Sequence, residues 1–294
     1  MAEIQLGGKE VRGRKGGEDF VPDSLEWRVF MHDIDLSLNL VLGEQYKSES
    51  QKARVISEAW TGRNAFCCSC GGALDRERNN ARVLDFTCAK CHNGFELKST
   101  RGHFSSKVPD GAFEAMMSRL RDVSSPDFFF LTYDAKSSCV TNFFAVPTYF
   151  LDSTVIEKRK PLSPNARRAG WVGCNIVMNR IPEAGKVFYV RNRKILERSA
   201  VIETWGRTKF LREERNLETK GWALEILRII QSLNVREFTL QRMYDFETQL
   251  KLQFPHNNFI RAKIRQQLQV LRDVGLILFE GRGRYAVNFG NIIK

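Results

Sequence analysis

Asp85-Phe86-Thr87-Cys88-Ala89-Lys90-Cys91-His92-Asn93-Gly94-Phe95-Glu96-Leu97-Lys98-Ser99 is the stretch on which the fold turns. It reads as two short strands, Val83 to Thr87 and Phe95 to Ser99, separated by a tight Cys-x-x-Cys loop. A second pair, Cys67 and Cys70 in Cys67-Cys68-Ser69-Cys70, lies upstream, with 17 residues (71–87) between the inner cysteines. Two such knuckles bring four thiolates to one point, the tetrahedral set that zinc prefers. With every position filled by protein, no place is left for water or substrate. Cys67, Cys70, Cys88 and Cys91 therefore predict a structural zinc ion, worth on the order of 10 kcal/mol to a region short of apolar core. Cys68 and His92, beside these ligands, read as surface residues, and Cys139 and Cys174, in apolar segments, as core.

Residues two apart in a strand share a face, so Glu96 and Lys98 project together while Leu97 turns to the core. Asp85, on the neighbouring strand, is expected to meet Glu96 across the hairpin. Two carboxylates at one point repel unless a cation lies between them, and magnesium favours oxygen ligands of this kind. Lys98 is then placed to orient a water or to stabilise charge on a phosphate. An isolated Glu-x-Lys reads equally as a salt-bridged surface strand. The nested knuckles favour the site, because they would fix both strands to the tolerance of about 0.5 Å that catalysis demands.

Working outward, 294 residues of which 43% are hydrophobic suffice for two ordinary cores. A formal net charge of +12 draws the chain to polyanions, nucleic acid first among them, although solvated lysines alone give the same balance. Met1 to Leu6 lack an apolar leader core, and Phe128-Phe129-Phe130-Leu131 and Phe143-Phe144-Ala145-Val146 are too short to span a bilayer. A soluble cytoplasmic protein with no membrane role is expected. In that reducing compartment, 7 cysteines with four in tight pairs favour metal over disulfides.

Three regions are expected. Residues 1–35 form an extension, flexible around the glycine-rich charged run Gly7 to Pro22. Residues 36–216 mix helices and strands, an α/β (α+β) domain. Here Leu36 to Trp60 has helical spacing with Ser50 capping Gln51 to Trp60, Asp110 caps a helix through Met116, Met117 and Leu120, and Asp127–Tyr133, Val140–Val146 and Val187–Val190 are strands. Residues 217–294 read as a winged helix. Its helices are Trp222–Leu233, Leu240–Leu250 capped by Thr239, and Phe259–Val274 capped by Asn258 and ended by Gly275. Leu276–Glu280 and Arg284–Val287 then flank Gly281-Arg282-Gly283. In the third helix Ile260, Ile264, Leu268 and Leu271 form the buried stripe. Arg261, Lys263, Arg265, Gln266 and Gln269 face solvent and suit base edges, at about 1–3 kcal/mol of discrimination per bidentate contact. Arg282 and Arg284 in the wing would meet phosphates.

Several stretches together carry a resemblance. They are Ser50-Gln51-Lys52-Ala53-Arg54, the paired knuckles, Asp85-Phe86, Phe95-Glu96-Leu97-Lys98-Ser99 and Pro126-Asp127-Phe128-Phe129-Phe130-Leu131-Thr132-Tyr133. Further on come Arg159-Lys160-Pro161-Leu162, Ala166-Arg167-Arg168-Ala169-Gly170-Trp171, Gly173-Cys174-Asn175-Ile176 and Ile264-Arg265-Gln266-Gln267-Leu268-Gln269. In this order, from roughly Leu40 to Tyr285, the chain resembles the DpnI-type restriction endonucleases of the PD-(D/E)xK nuclease superfamily. The resemblance implies a methylation-dependent type II (type IIM) enzyme of bacterial restriction-modification. Such an enzyme is a monomer in solution that hydrolyses double-stranded DNA with magnesium at GATC carrying N6-methyladenine. It implies Asp85, Glu96 and the Leu97 backbone carbonyl as magnesium ligands, Lys98 as catalytic lysine, and both domains as readers of the site. Leu84 departs from the proline of the superfamily name, Cys68 enlarges the first knuckle, and nothing before about Val41 has a counterpart.

Burying one methyl contributes about 0.8 kcal/mol, roughly fourfold in affinity, so strict methyl dependence needs several readings. The sensing loop expected in the nuclease domain is Arg167-Arg168-Ala169-Gly170-Trp171, with arginines for phosphate and Trp171 as a flat apolar surface; a buried core tryptophan is the competing reading. The competing class for the whole chain is a non-catalytic regulator made of a zinc module and a winged helix, which would bind an operator and cut nothing.

Overall fold

A computed structural model describes residues 34–77, 84–122, 124–214 and 216–289. The glycine-rich N-terminal run and Val83 lie outside the described residues.

Asp127–Asp134 (β5) is buried from Asp127 to Tyr133 on both faces, as an unbroken apolar run requires. It lies at the middle of a seven-stranded sheet in the order β1 (Leu74–Arg76), β2 (Phe86–Cys88), β3 (Gly94–Arg101), β5, β6 (Cys139–Val146), β9 (Val187–Arg191), β10 (Lys194–Ile195). Only the β3–β5 pair is parallel, with Glu96 opposite Phe128 and Lys98 opposite Phe130. Phe129 and Leu131 pack on one face with Trp60, Phe86, Phe95, Phe143 and Tyr189. Phe95 stacks on Phe129 at 4.3 Å, and Trp60 meets Phe143 edge-on at 5.1 Å.

Helix α1 (Glu49–Asn64) supplies Trp60 to that face. Its N-cap position is Ser48 rather than the expected Ser50, and the two serine hydroxyls bond each other at 2.8 Å. The helical spacing before it is realised only as a short 3-10 turn, Leu40–Gly43, because Ser37 bridges to Cys139 at the sheet margin.

A three-stranded antiparallel sheet, β4 (Lys107–Ala112), β8 (Gly173–Val177) and β7 (Ile156–Lys158), lies beside the first. Asp110 is therefore not a helix cap: it sits inside β4, paired with Cys174, and α2 (Phe113–Arg119) starts only after Ala112. Pro109 is tolerated because β4 is an edge strand.

After α3 (Arg198–Gly206) and α4 (Phe210–Glu213) comes α5 (Leu217–Leu233), longer at its start than expected because the Asn216 side chain accepts from the Glu218 and Thr219 N–H groups. The expected second helix is two, α6 (Leu240–Tyr244) and α7 (Glu247–Gln253), with Phe246 outside helical geometry between them; the Thr239 hydroxyl caps α6 through the Arg242 N–H. For α8 (Ile260–Asp273) the expected Asn258 cap is replaced. Asn257 accepts from the Phe259 N–H, and Asn258 accepts from Lys251. Gly275, at φ +75°, turns the chain out of α8, with the Gly275 and Leu276 N–H groups closing on the Arg272 and Leu271 carbonyls. Strands β12 (Ile277–Gly281) and β13 (Arg284–Val287) form the wing, and β11 (Glu237–Thr239) pairs with β13.

The second face of the main sheet does not end at the winged helix. Phe128, Phe130, Phe144 and Phe150 share one continuous core with Trp222, Leu224, Ile226 and Leu227 of α5. Arg228 of α5 also donates to Asp152 at 2.7 Å and to the Arg180 carbonyl at 3.0 Å, while Gln231 accepts from the Glu183 N–H at 2.6 Å. No described helix is long and apolar enough to cross a membrane.

Candidate active site and metal centre

The knuckles converge. The sulfurs of Cys67, Cys70, Cys88 and Cys91 all lie within 4.8 Å of one another, the only such set of three or more metal-binding groups among the described residues. Cys67 and Cys91 are 3.6 Å apart and Cys70 and Cys88 3.5 Å, against about 3.8 Å for ligands at 2.3 Å in a tetrahedron. The four thiols could hold a metal ion. Although burial pushes the other way, the Cys91 and Lys90 N–H groups hold the Cys88 thiol down at about 7, whereas burial holds the Cys67 and Cys91 thiols up. Cys68 is no surface residue: it is wholly buried, and burial pushes its thiol well up. Cys174 is buried core, Cys139 only half so, and His92 is an exposed turn residue at φ +58°.

Strand β2 reaches only as far as Phe95 on β3, so among the described residues β3 has no strand beside it from Glu96 onward on that side. Asp85 fills the gap. Its N–H donates to the Phe95 carbonyl at 3.0 Å, and its carboxylate accepts from the Leu97 N–H at 2.7 Å. Lys98 Nζ lies 2.5 Å from Glu96 Oε1 and 2.5 Å from Asp110 Oδ1, and Arg119 holds the other Glu96 oxygen at 2.8 Å. Burial alone would push Lys98 down, but Glu96 and Asp110 outweigh it and hold the ammonium above its usual value. Asp85 is raised, chiefly by burial and further by the Glu58 and Glu96 carboxylates.

Asp85, Glu96 and Lys98 line a cleft of about 620 Å³ that also takes in Arg54, Glu58 and Lys107, with Asp110 and Arg119 holding Lys98 and Glu96 from behind its wall. Glu58 is buried and held by Arg54 at 2.5 Å and by Arg76. Asp110, Arg119 and Glu58 were not picked out as site residues from the sequence. Glu58 follows Arg54 by one helical turn on α1, a spacing that could have shown it; Asp110 in Val108-Pro109-Asp110-Gly111 carries turn chemistry that masks a strand.

The Arg167–Trp171 loop joins β7 to β8 and is tied to the site through the pairing of β8 with β4. Arg167 and Arg168 are exposed. Trp171 is half-buried, the Arg168 guanidinium lying 4.6 Å over its ring, and a Cβ on Gly173 would come within 2.7 Å of that ring. In α8, Ile260, Ile264, Leu268 and Leu271 are buried, Arg261, Arg265, Gln266 and Gln269 exposed, and Lys263 half-buried. Arg282 is exposed at the wing tip, and Arg284 pairs with Glu237 at 3.0 Å.

Fold and site thus define a mixed α/β domain that carries a four-cysteine cluster able to hold a metal and a cleft of acidic and basic side chains, followed by a winged helix-turn-helix. Residues 34–214 match the DpnI, Dam-replacing family, and residues 218–287 match the Dam-replacing HTH domain. The chain belongs to the DpnI family of Dam-replacing proteins, a class of restriction nucleases with a helix-turn-helix domain to hold DNA.

Proposed function

We propose that the chain is a methylation-dependent type II (type IIM) restriction endonuclease of the bacterial cytoplasm, cutting double-stranded DNA at GATC sites that carry N6-methyladenine. Residues 36–216 cut and 217–294 hold the duplex, and both read the methylated sequence, in a chain that is monomeric in solution. The observation that carries the reading is the family match over 34–214 together with Lys98 clamped between Glu96 and Asp110 next to Asp85.

The residues fit a hard divalent cation. In a strand a residue's N–H and C=O point to the same side, so the Leu97 carbonyl faces the open edge where Asp85 accepts the Leu97 N–H. Asp85, Glu96 and that carbonyl are an oxygen donor set, and a cation would offset the burial and the lesser carboxylate repulsion that raise Asp85. Magnesium bound there would supply charge stabilisation at the scissile phosphate and a more acidic water. Lys98, held as ammonium, donates hydrogen bonds and positive charge towards the phosphate oxygens; it has no free pair to act as a base. Asp110 fixes the direction of that ammonium. Zinc is the ion that four cysteines best fit, and its role is structural. Arg54 and Lys107 at the cleft, Arg167 and Arg168 in the loop, and Arg282 and Arg284 in the wing supply phosphate contacts, while Trp171 and the outer face of α8 read bases.

Digestion of GATC plasmid from methylating and non-methylating hosts, with magnesium, tests the reading: only methylated plasmid should be cut, at GATC. Equal resistance of both would sink it and leave the non-catalytic regulator.

A further inference from the structure

The outward face of α8 is divided in a way that its overall charge conceals. Directly opposite the buried stripe of Ile260, Ile264, Leu268 and Leu271, the positions at helical spacing include Ala262, Gln266 and Gln269, all exposed, and the exposed Phe259 stands just before them at the N-cap. The arginines stand to one flank, and two are engaged there. Arg261 donates to Glu247 at 2.7 Å with its guanidinium 5.0 Å over the Tyr244 ring, and Arg265 donates to the Tyr244 hydroxyl at 2.8 Å. Over its first turns the ridge that would point furthest into a groove is therefore uncharged, apolar at its start and then amide, and the exposed Asp273, paired with Arg272 at 2.7 Å, closes the row at the far end. Phe259, at the N-cap position, is 77% exposed, and its backbone N–H is fixed by Asn257.

A recognition helix meets base edges in the major groove with its N-terminal residues first. Adenine normally offers an N6–H donor and the N7 acceptor there, which a glutamine reads with two bonds. In base-paired N6-methyladenine the remaining N6 hydrogen is used in pairing, and the methyl takes the place of the groove-facing donor. A glutamine loses its partner at that base, whereas an apolar side chain gains one. We infer that Phe259, backed by Ala262, is the methyl-reading element of the winged helix, and that Gln266 and Gln269 read neighbouring edges that methylation leaves intact. The inference rests on the methylated-GATC reading above and sharpens it to one residue.

Fluorescence anisotropy of the full chain, with calcium in place of magnesium to prevent cutting, on GATC duplexes methylated on both strands or on neither, tests it. Phe259→Ser should weaken binding to the methylated duplex by about fourfold or more, the contribution of one buried methyl, and leave the unmethylated duplex unchanged. Phe259→Leu should keep most of the preference, and Gln269→Ala should weaken both duplexes alike. Because Phe259 is exposed, its variants should melt with the wild type. A Phe259→Ser variant that keeps the wild-type preference, or loses affinity equally for both duplexes, overturns the inference. So does a loss that vanishes when thymine is replaced by uracil, since Phe259 would then read the thymine methyl. A wild type without any methyl preference overturns the functional reading itself, and is seen before any variant is made.

Discussion

Asp85→Asn keeps an acceptor for the Leu97 N–H while removing the charge, which separates what Asp85 does for the fold from what it does for the reaction. Burial, with Glu58 and Glu96, holds the Asp85 carboxyl above its ordinary value. For a carboxyl raised in this direction the protonated form suits the fold better, so without a divalent ion the ionised form costs stability at neutral pH. That cost is absent below the ordinary carboxylate range near pH ~4 and sets in as pH rises through the raised value. Asp85→Asn should thus raise the melting temperature of metal-free protein at pH 7, the gain shrinking to nothing by about pH 4, and should abolish cleavage. A lower melting temperature at pH 7 would count against this account. For Lys98, held charged by two carboxylates, Lys98→Ala should lower single-turnover cleavage by at least about 10²-fold with duplex binding intact, and Asp110→Asn should act in the same direction but less strongly. Retained cleavage in Lys98→Ala would remove it from the reaction.

Among elements, the knuckles and the hairpin they brace depend on one ion. Four converging sulfurs, in pairs 3.5–3.6 Å apart, predict tight binding, and a strong chelator should strip about one zinc per chain and lower the melting temperature, both restored by zinc but not by magnesium. Mass spectrometry with thermal melts would settle it. These elements were also the most legible in sequence. Thiol spacing is a local code, and Asp85 and Glu96 are placed by the same hairpin. Where sequence reading went astray, a distant partner decided. Asp110 carries the chemistry of a helix cap, yet pairing with β8 draws it into a strand and Lys98 claims its carboxylate. Asn258 looks like the cap of α8, yet Lys251 engages its side chain. Cys68 sits beside a ligand and looks exposed, yet the knuckle folds onto Phe66 and Tyr189 and buries it.

At the scale of the molecule, the core that runs from Phe130 into α5 ties the mixed α/β domain and the winged helix into one body, with Arg228 as the polar clasp. Calorimetry should give a single transition. Arg228→Ala removes the charge partner of Asp152, which keeps its bonds from Thr154 and Val155, and one of the groups around buried Glu225, so it should cost about 1.5 kcal/mol and broaden or split that transition. Two well-separated transitions in the wild type would show that the shared core does not couple the parts.

The side of β3 that no described strand covers has one more consequence, for anyone making the protein. A strand with unpaired backbone groups is a template on which another chain can add itself, and charged side chains are what normally discourage it. Glu96 and Lys98 stand on that strand, so an inactive form made by replacing both with alanine would lose its guards together with its chemistry and tend to clump on expression. Asp85→Asn, which leaves both charges in place, is the safer way to silence the cut and keep the chain in solution.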